Sequence, residues 1–373
     1  MRIGIDARTI FRPELRGIGK SLVDLLGSMG SPANGHEFVL YYEARPDTVS
    51  HAPKIPHATT RSLRADHQTL FEQWVLPRAV AADRCDIFHS PANTTMWYQS
   101  CPVVVTLHDL MGYHQARQRG PLGRRIDWTI IQPRAYQRVK TIITVSTYSK
   151  QQLIGHLGVP EEKVRVVPPG IHPRYRKVPD PDVQRVVTQF GISRPYVFVA
   201  GGETPRKNLP RILEAMHSLW ASHTLTSHVV VSGIRPEVCD RLVTNLPWVR
   251  GHPKVHFLPY VTEDELVALY SGAQVSVYAS LDEGFGLPPL EAMACEVPVI
   301  ASNAASIPEA VGDAAYLVDA KQVDEIARAI LTLSQSLALR EMYVQRGAQR
   351  ARQLTWERAA QETLRIYEAV AHH

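Results

Sequence analysis

Residues 275–291 read VSVYASLDEGFGLPPLE, a stretch that predicts a buried strand, a tight turn and the start of a helix. The apolar run Val275–Ala279 is the strand, and Gly284 and Gly286 let the backbone that follows approach a ligand closely. Prolines suit the first turn of a helix, because their missing N–H costs nothing there. The remaining N–H groups of that turn favour an anion such as a pyrophosphate. The stretch therefore predicts one unit of an α/β protein with an anion site at its turn.

Two glutamates flank this turn and point to a sugar ligand. Glu283 precedes the turn, where we expect it to lie nearer to the sugar. Glu291 lies about one helical turn inside the helix. A carboxylate in that position accepts hydrogen bonds from two hydroxyls of a ribose. The alternative is an ordinary strand–turn–helix in which Glu291 is a solvated helix residue.

A second predicted strand, Tyr196–Ala200, is followed by GGETPRKN at 201–208 and then by a helix. Arg206 and Lys207 are adjacent cations at this strand end. A planar guanidinium and a mobile ammonium group suit a diphosphate leaving group. The alternative is a solvated pair at a helix start, a place where the helix dipole disfavours cations.

Two further candidate sites are weak signals when taken alone. His108 and Asp109 follow the predicted strand Val103–Leu107, where an imidazole can orient hydroxyls or shuttle a proton. A histidine satisfied by local backbone is an equal alternative. The sequence RGIGK at 16–20 precedes the first predicted helix and is a generic phosphate loop. It lacks the third glycine of a dinucleotide fingerprint.

The 373 residues alternate short apolar runs with longer amphipathic ones, which predicts two α/β domains with parallel sheets. The proline-rich stretch 168–181 is interpreted as the linker between them. Ligands of such sheets lie beyond the carboxyl ends of the strands. The predicted strands are Ile3–Ile5, Glu37–Tyr42, Asp86–His89, Val103–Leu107, Thr141–Val145, Tyr196–Ala200, Val229–Ser232, Val255–Leu258, Val275–Ala279 and Val297–Ala301. The predicted helices are Leu70–Ala82, Arg125–Val139, Ser146–His156, Leu209–Trp220, Glu237–Leu246, a capped helix from Thr262 to Tyr270, Pro289–Ala294, Val323–Ser334 and Trp356–Val370.

Composition narrows the setting without choosing a ligand. A net charge of +5 fits an acidic small molecule, an anionic membrane face or nucleic acid. The four cysteines are far apart, so we expect neither a disulfide framework nor a zinc site, and a reducing cytosol is the simplest location. The first residues read as a buried strand rather than a signal peptide, and no apolar run is long enough to span a membrane.

Three other features of the sequence are candidate sites. Asp180-Pro181-Asp182 looks like a metal-binding pair, but its place in the linker favours a turn. The histidines at 51, 57 and 67 lack metal-ligand spacing, so no metal is expected. A basic segment is either a solvated loop and helix start or a dock for a lipid diphosphate or a membrane surface. Its arginines are Arg117, Arg119, Arg124 and Arg125.

Together these motifs resemble the retaining GT-B glycosyltransferases of family four, over nearly the whole chain. Glu283 and Glu291 match that family's pair of glutamates. The other matching segments are EGFGLP at 283–288, EAMA at 291–294, VVPPGI at 166–171, PRKN at 205–208, LHDL at 107–110 and SIPE at 306–309. Lys20, Gly202 and Glu296 depart from the family's usual residues.

The resemblance implies two Rossmann-like domains that face each other across a cleft. Residues 1–170 would form the acceptor domain, with 355–373 crossing back onto it, and 171–354 would form the donor domain. It implies that Glu291 holds the ribose, Glu283 contacts the donor sugar, and Arg206 with Lys207 neutralises the diphosphate. The remaining implied donor contacts are Gly17, Gly19, Tyr260, Val261, Gly284, Phe285, Gly286 and Leu287. On the acceptor side the resemblance implies His108 beside the reacting sugar, and Asp109, Arg117, Arg119 and Arg124 near the acceptor.

The implied activity is a retaining hexosyl transfer from a nucleotide sugar, without metal or other cofactor. The blend of motifs is similar to bacterial mannosyltransferases of polysaccharide and lipopolysaccharide assembly. It implies GDP-mannose or a GDP-deoxyhexose as donor and a glycan or polyprenyl-diphosphate-linked glycan as acceptor. The expected location is cytoplasmic, with peripheral contact to the inner face of the membrane. UDP-sugars remain open as donors.

Other functions remain as alternatives. A nucleotide-sugar epimerase shares the GT-B fold, whereas a phosphorylase needs a pyridoxal-bearing lysine and a longer chain. A Rossmann-fold oxidoreductase needs the glycine fingerprint that is missing after the first strand. A non-catalytic sugar-binding protein has no need of both the cation pair and the glutamate pair.

Overall fold

The computed structural model describes residues 1–12, 15, 17–30, 35–44, 55, 58–119, 121–202 and 204–371, with the side chains of 118, 119, 124 and 243 left out. The described chain divides into two compact units. The first unit comprises Met1–Gly170 and the chain from Thr355 onward, and the second unit is Ile171–Leu354.

The first unit is built on a seven-stranded parallel sheet in the order β3-β2-β1-β4-β5-β6-β7. The strands are β1 (Arg2–Asp6), β2 (Glu37–Glu43), β3 (Ala58–Leu63), β4 (Ile87–Ser90), β5 (Val103–Leu107), β6 (Thr141–Thr144) and β7 (Val164–Val166). The helices are α1 (Gly17–Met29), α2 (Gln68–Leu70), α3 (Leu76–Ala82), α4 (Met111–Arg119), α5 (Leu122–Ile126), α6 (Gln132–Arg138) and α7 (Thr147–Leu157). Single π-helical stretches, Phe71–Val75 and Asp127–Ile131, join α2 to α3 and α5 to α6.

Two apolar cores cover the two faces of this sheet. One core contains Leu22 and Leu26 of α1 and Tyr367 of the C-terminal helix, Trp356–Ala371, which packs on α1. The other contains Phe71 and Tyr136 from the helices of the opposite face. The central strands are buried on both faces and carry near-continuous apolar runs, as parallel strands require.

The second unit has a six-stranded parallel sheet in the order β10-β9-β8-β11-β12-β13. Its strands are β8 (Tyr196–Ala200), β9 (His228–Ser232), β10 (Val255–Phe257), β11 (Val275–Tyr278), β12 (Val299–Ser302) and β13 (Tyr316–Val318). Its helices are α8 (Asp180–Gln189), α9 (Leu209–Ala221), α10 (Pro236–Asn245), α11 (Glu263–Gly272), α12 (Leu287–Ala294), α13 (Ile307–Val311), α14 (Val323–Gln335) and α15 (Leu337–Arg352). The C-terminal helix of the first unit is labelled α16.

Local signals fix several of these helix starts. Thr262 and Glu265 form the predicted capping box, each bonding the other's backbone N–H at the start of α11. Ser146 caps α7 by accepting a hydrogen bond from the backbone N–H of Ser149 at 3.0 Å. Ser149 lies inside the helix, in its first turn.

Two interpretations of the sequence were wrong. Asp180-Pro181-Asp182 is not a turn in a linker but the first turn of α8. Acidic residues complement the helix dipole there and proline is tolerated, so the same letters serve a helix start. The basic segment is not a loop before a helix, because α4 occupies its first part.

Three strands were not predicted from the sequence, and all three are edge strands. β3 and β7 are the outer strands of the first sheet, and β13 is an outer strand of the second. β7 and β13 are only three residues long, and every residue of β3 except Leu63 is exposed or half-buried. A strand paired on one side lacks the continuous apolar run that marks a central strand.

Candidate active site

The candidate site lies where the strand order of the second sheet reverses. β8 and β11 are adjacent parallel strands there, although a large part of the unit separates them in sequence. Their carboxyl ends lead into the loops that carry Arg206, Lys207 and Glu283. Such a reversal opens the crevice in which α/β proteins bind ligands.

The structure brings the predicted cation pair and the first glutamate into direct contact. Glu283 Oε1 forms an ion pair with Arg206 Nη1, and Lys207 Nζ lies 2.9 Å from the same oxygen. Backbone bonds also tie the two loops together, because the N–H of Leu281 donates to the carbonyl of Arg206 at 2.8 Å. The two motifs singled out from the sequence therefore form one site.

Glu283 is held in this position by two hydroxyl groups. Tyr278 Oη donates to Glu283 Oε1 at 2.7 Å, and Ser280 Oγ donates to it at 2.8 Å. Burial by itself raises the pKa of Glu283, but Lys207 and Arg206 more than offset that effect, so the pKa is lowered. The carboxylate is therefore ionised at neutral pH, as the centre of the cluster.

Lys207 is the more enclosed of the two cations. Its ammonium group lies 4.4 Å from the centre of the Tyr278 ring and donates to the Tyr278 hydroxyl. Burial lowers the pKa of Lys207, and Glu283 opposes this shift. The side chain of Arg206 is 28% exposed and that of Lys207 is 15% exposed, so the guanidinium is the more accessible group.

Asn208 gives the cation loop its shape and was missed by the sequence analysis. Its backbone is left-handed at φ 60°, and its buried amide donates to the carbonyls of Ala279 and Ala320. Asparagine tolerates this conformation better than most residues, which was the available signal. The short 3₁₀ turn Pro205–Lys207 is thereby locked against the end of β11.

The glycine turn after Glu283 is strained in a way that only glycine accepts. Gly286 has φ 101°, and a Cβ there would lie 2.4 Å from Cδ1 of Ile307. Ser306 Oγ donates to the carbonyls of Glu283 and Phe285, at 2.8 and 3.1 Å. The Phe285 side chain is buried, so any ligand contact from this residue comes from its backbone.

The turn then leads into α12, which begins at Leu287 and carries Glu291 in a half-buried position. Burial, and next to it the charge of Glu291, raises the pKa of Tyr175. The Tyr175 hydroxyl donates to Glu263 Oε2 at 2.8 Å. Gly284 is also half-buried.

Tyr260 and Val261, two of the implied donor contacts, lie at the same edge of the second sheet. Tyr260 is 61% exposed, and its ring lies 3.7 Å from the position that a Cβ of Gly233 would take. Gly233 N donates to the carbonyl of Pro259, and Gly201 N donates to that of Ser232. The half-buried Val261 follows. The ends of β8, β9 and β10 are thus joined side by side around an exposed aromatic ring.

In the first unit, His108 is half-buried at the end of β5. Its Nε2 donates to the carbonyl of Pro91 at 2.9 Å, and its backbone N–H donates to Asn93 Oδ1 at 2.7 Å. Burial lowers the pKa of His108, against the opposing effects of Pro91 and Asp109. At neutral pH the imidazole is therefore neutral, with its proton on Nε2.

The predicted acceptor residues are only partly described. Asp109 Oδ1 accepts the backbone N–H of Met111 at 2.9 Å and so helps to start α4. Arg117 is exposed on α4, and the side chains of Arg119 and Arg124 lie outside the described residues. The structure does not bring these arginines together in one described site.

The glycine loop before α1 has a structural demand of its own. A Cβ at Gly19 would lie 2.5 Å from the carbonyl oxygen of Thr9, so this glycine is needed for close backbone packing. Gly17 begins α1 with open space around its Cα, and Arg16 lies outside the described residues. The packing of Gly19 against Thr9 was not foreseen from the sequence.

No group of three potential metal ligands occurs among the described residues. His51 and His57 fall outside those residues. The four cysteines are present as free thiols. No described helix is long and apolar enough to cross a membrane.

The two Rossmann-like units, each with a parallel sheet, define the GT-B class of fold. The chain belongs to the group 1 glycosyltransferases of family four. The family described as Glycosyltransferase Family 4 matches residues 15–175, and that described as Glycosyl transferases group 1 matches residues 182–350. The family predicted from the sequence is confirmed.

Similar proteins include several mannosyltransferases. O-antigen chain mannosyltransferase B of Escherichia coli is 33% identical over 235 residues, or 61% of this chain and 60% of that protein. MMP alpha-(1->4)-mannosyltransferase of Mycolicibacterium hassiacum is 29% identical over 67% of this chain and 59% of its own length. The matches thus span about 60% of the length of these two relatives.

Solved structures confirm the fold. Anabaena Alr3699/HepE, in complex with UDP and glucose, has a TM-score of 0.76 at 17% identity and covers 99% of this chain and 100% of its own. WaaG, a glycosyltransferase involved in lipopolysaccharide biosynthesis, has a TM-score of 0.74 at 15% identity and covers 98% and 99%.

Proposed function

We propose that this chain is a retaining glycosyltransferase that moves a hexose from a nucleoside diphosphate sugar to a glycan. The observation that carries the proposal is the contact of Arg206 and Lys207 with one buried carboxylate, Glu283, at the strand reversal of the second sheet. Two adjacent cations, of which Arg206 is 28% exposed, suit a diphosphate. The family to which the chain belongs supports the same chemistry.

The donor roles follow from the chemistry of each group. Arg206 and Lys207 stabilise the departing diphosphate, helped by the backbone N–H groups of the Gly284–Leu287 turn. Glu291 accepts hydrogen bonds from the ribose, and the exposed Tyr260 ring beside Val261 stacks on the base. Glu283 contacts the donor sugar through its carboxylate. Roles for Gly17, Gly19 and His108 at the phosphates and the sugar remain predictions.

The transfer that we propose needs no protein nucleophile. The acceptor hydroxyl oxygen attacks the anomeric carbon from the face that the diphosphate leaves, which retains the configuration. The bond from the anomeric carbon to the phosphate oxygen breaks, its electron pair stays on that oxygen, and the hydroxyl proton moves there. The protein contributes position and positive charge.

The names of the similar proteins support mannose as the sugar. The words O-antigen and serotype-specific in two of these names support a bacterial surface glycan as the product. We therefore propose GDP-mannose or a GDP-deoxyhexose as donor and a polyprenyl-diphosphate-linked glycan, reached from the cytoplasmic side, as acceptor. A UDP-sugar is the second candidate, and a nucleotide-sugar epimerase is the alternative activity. An epimerase would release an altered sugar without any acceptor.

A donor screen and two variants test the proposal. Thermal shifts against GDP, UDP and their sugars should show one nucleotide that raises the melting temperature with concentration. Lys207→Ala should slow transfer by about 10²–10³-fold, and Glu291→Ala should weaken nucleotide binding. Lys321→Ala and Glu237→Ala, at exposed positions of the same unit, are the matched controls. Near-normal turnover in both site variants refutes the assignment.

A further inference from the structure

A tyrosine hydroxyl lies between two carboxylates near the start of the second unit. Tyr175 belongs to the irregular segment that leads from the unit boundary at Ile171 to α8. Its hydroxyl donates to Glu263 Oε2 at 2.8 Å and also forms a hydrogen bond with the side chain of Glu291. All three residues are half-buried. We call these three side chains the tyrosine bridge.

The two carboxylates of the tyrosine bridge come from different helices. Glu263 is the first residue of α11, shortly after the loop that carries Tyr260 and Val261. Glu291 lies in α12. The two helices follow the carboxyl ends of β10 and β11, which belong to the same parallel sheet. The tyrosine bridge therefore lies at the edge of the second sheet where ligands of such sheets bind.

The segment that carries Tyr175 is anchored along α11. Lys177 Nζ donates to the carbonyl of Ser271 at 2.6 Å, and the backbone N–H of Val178 donates to Ser271 Oγ at 3.2 Å. Ser271 lies in the last turn of α11, whereas Glu263 begins that helix. The segment is thus bonded to both ends of α11, which fixes the position from which the Tyr175 hydroxyl extends.

The Tyr175 hydroxyl is protonated at neutral pH. Burial raises the pKa of Tyr175, and the charge of Glu291 and its hydrogen bond raise that pKa further, whereas the charge of Arg174 opposes the shift. A phenol has one proton, so it donates to one carboxylate at a time. The hydroxyl therefore restrains both carboxylates at a point where two negative groups repel each other.

A restrained carboxylate binds a ribose better than a mobile one does. An ionised carboxylate has about four acceptor positions, so Glu291 can accept from Tyr175 and from two ribose hydroxyls together. A mobile glutamate side chain loses rotamer freedom when it binds a ligand, and a side chain that is already held loses less. A hydrogen bond from within the protein can therefore raise the affinity for the ribose without touching it.

We propose that Tyr175 is a positioning residue for nucleotide recognition, which holds Glu291 in the orientation that accepts the two ribose hydroxyls. Glu263 orients the Tyr175 hydroxyl from the start of α11. The inference rests on the proposed function, because that proposal supplies the ribose as the ligand of Glu291. It adds a residue outside the motifs of the donor site, and it makes the selectivity for ribonucleotides over dideoxynucleotides depend on one hydroxyl group.

Calorimetric titration with paired nucleotides tests the inference. The full chain and its Tyr175→Phe variant are titrated with GDP and 2′,3′-dideoxy-GDP, or with UDP and its dideoxy form if the wild type prefers UDP. The variant keeps the ring and lacks only the hydroxyl. We expect it to bind the ribonucleotide about tenfold more weakly than the wild type does, since it lacks a hydrogen bond to a charged group. Both proteins should bind the dideoxynucleotide with equal affinity.

Two controls separate positioning from a general loss of structure. Tyr343→Phe makes the same change at another half-buried tyrosine of the second unit and should leave both affinities unchanged. In a Glu291→Ala background, Tyr175→Phe should not weaken ribonucleotide binding further, because the side chain to be positioned is gone. The melting temperatures of the variants without nucleotide check that the fold is intact.

Two results with a wild type that binds the ribonucleotide overturn the inference. If Tyr175→Phe weakens ribonucleotide and dideoxynucleotide binding equally, the hydroxyl serves the structure of the whole site. If Tyr175→Phe binds the ribonucleotide as tightly as the wild type, Glu291 does not need the hydroxyl. A wild type that binds neither GDP nor UDP refutes the proposed function, and the inference falls with it, so the two kinds of failure are distinguishable.

Discussion

Each unit has a charged cluster where the strand order of its sheet reverses, but the two clusters have opposite compositions. In the first unit the reversal lies between β1 and β4, and in the second between β8 and β11. The first cluster is one cation, Arg8, between two carboxylates, Asp6 and Glu72. The second is one carboxylate, Glu283, between two cations.

The first cluster is sealed by the chain itself. Arg8 Nη2 lies 2.6 Å from Asp6 Oδ2 and 2.6 Å from Glu72 Oε1, and Thr94 Oγ1 donates to the same Glu72 oxygen at 2.7 Å. The side chains of Arg8, Asp6 and Glu72 are only 10%, 5% and 2% exposed. Every charge is paired within the unit, which is the arrangement of a structural network.

The second cluster is more open, and two cations contact its one buried carboxylate. Arg206 is 28% exposed, nearly three times as much as Arg8. The comparison teaches that the same position in two related sheets can be closed by a side chain or left to receive a ligand. We propose that the cation pair of the second cluster receives an anion.

The largest expected effect is on stability, and it distinguishes a structural cluster from a binding cluster. Arg8→Met leaves Asp6 and Glu72 buried without their cation and should lower the free energy of unfolding by about 3–5 kcal/mol. Arg206→Met, the matched change in the second unit, leaves Glu283 paired with Lys207 and should cost about 1 kcal/mol or less. Urea unfolding of both variants makes the measurement. Equal losses would show that the second cluster is also chiefly structural.

Glu283→Gln tests the second cluster through pH. Burial lowers the pKa of Lys207 and Glu283 opposes this, so loss of the carboxylate should lower that pKa further. Affinity for a nucleoside diphosphate depends on the charged ammonium and should fall as pH rises through the pKa of Lys207. In the variant the affinity should begin to fall at a lower pH than in the wild type. At the pH of largest difference the variant should bind roughly tenfold more weakly, since a charged hydrogen bond contributes about 1.5–3 kcal/mol. Calorimetric titration from pH 7 to 10 checks it, and identical profiles would contradict it.

His89 should make the first unit sensitive to mild acid. Its ring bonds Thr106 Oγ1 at 2.8 Å and Tyr367 Oη at 2.6 Å, and burial, with a smaller effect of His108, lowers its pKa to about 3. Between pH 6.5 and about 3 the unfolded imidazole binds a proton that the folded one does not. The free energy of unfolding should therefore decrease as the pH is lowered through this range, by up to about 1.4 kcal/mol per pH unit.

The control for this prediction is His89→Gln, which keeps polar groups but removes the titration. Its unfolding free energy should depend less on pH over the same range, measured by urea unfolding at several pH values. The lowered pKa of Glu283 has a different consequence, because the stability it contributes is lost only as pH falls below its unfolded value near 4.5. A variant with the wild-type slope would rule out His89 as the acid-sensitive group.

The motifs of the proposed second-unit site could be picked out from the sequence because each motif is local. Glycines, prolines and charges follow a buried strand within a few residues, and each residue type has one conformational or chemical reason to be there. The contact between Arg206 and Glu283 followed from a general rule about strand ends. Roles for individual donor residues stay predictions.

The first-unit network could not be predicted in the same way. Glu72 looks like an ordinary surface residue of an amphipathic helix, yet it is buried against Arg8 from the end of β1. The spacing between the two residues carries no signal. The groove lined by Trp74, Trp97 and Ile130 was also hidden, because these residues lie on separate crossovers that only the parallel sheet brings together.

The sequence by itself determined the family, the two α/β units and the residue types of the proposed anion site, because these depend on local backbone preferences and on the periodicity of apolar residues. Only the tertiary structure decided which charges are paired. It also decided that Gly19 serves close packing against Thr9, and that Trp74 and Ile130 share a groove. The physical reason is that pairing and burial depend on neighbours distant in sequence, whereas turns and caps depend on neighbours along the chain.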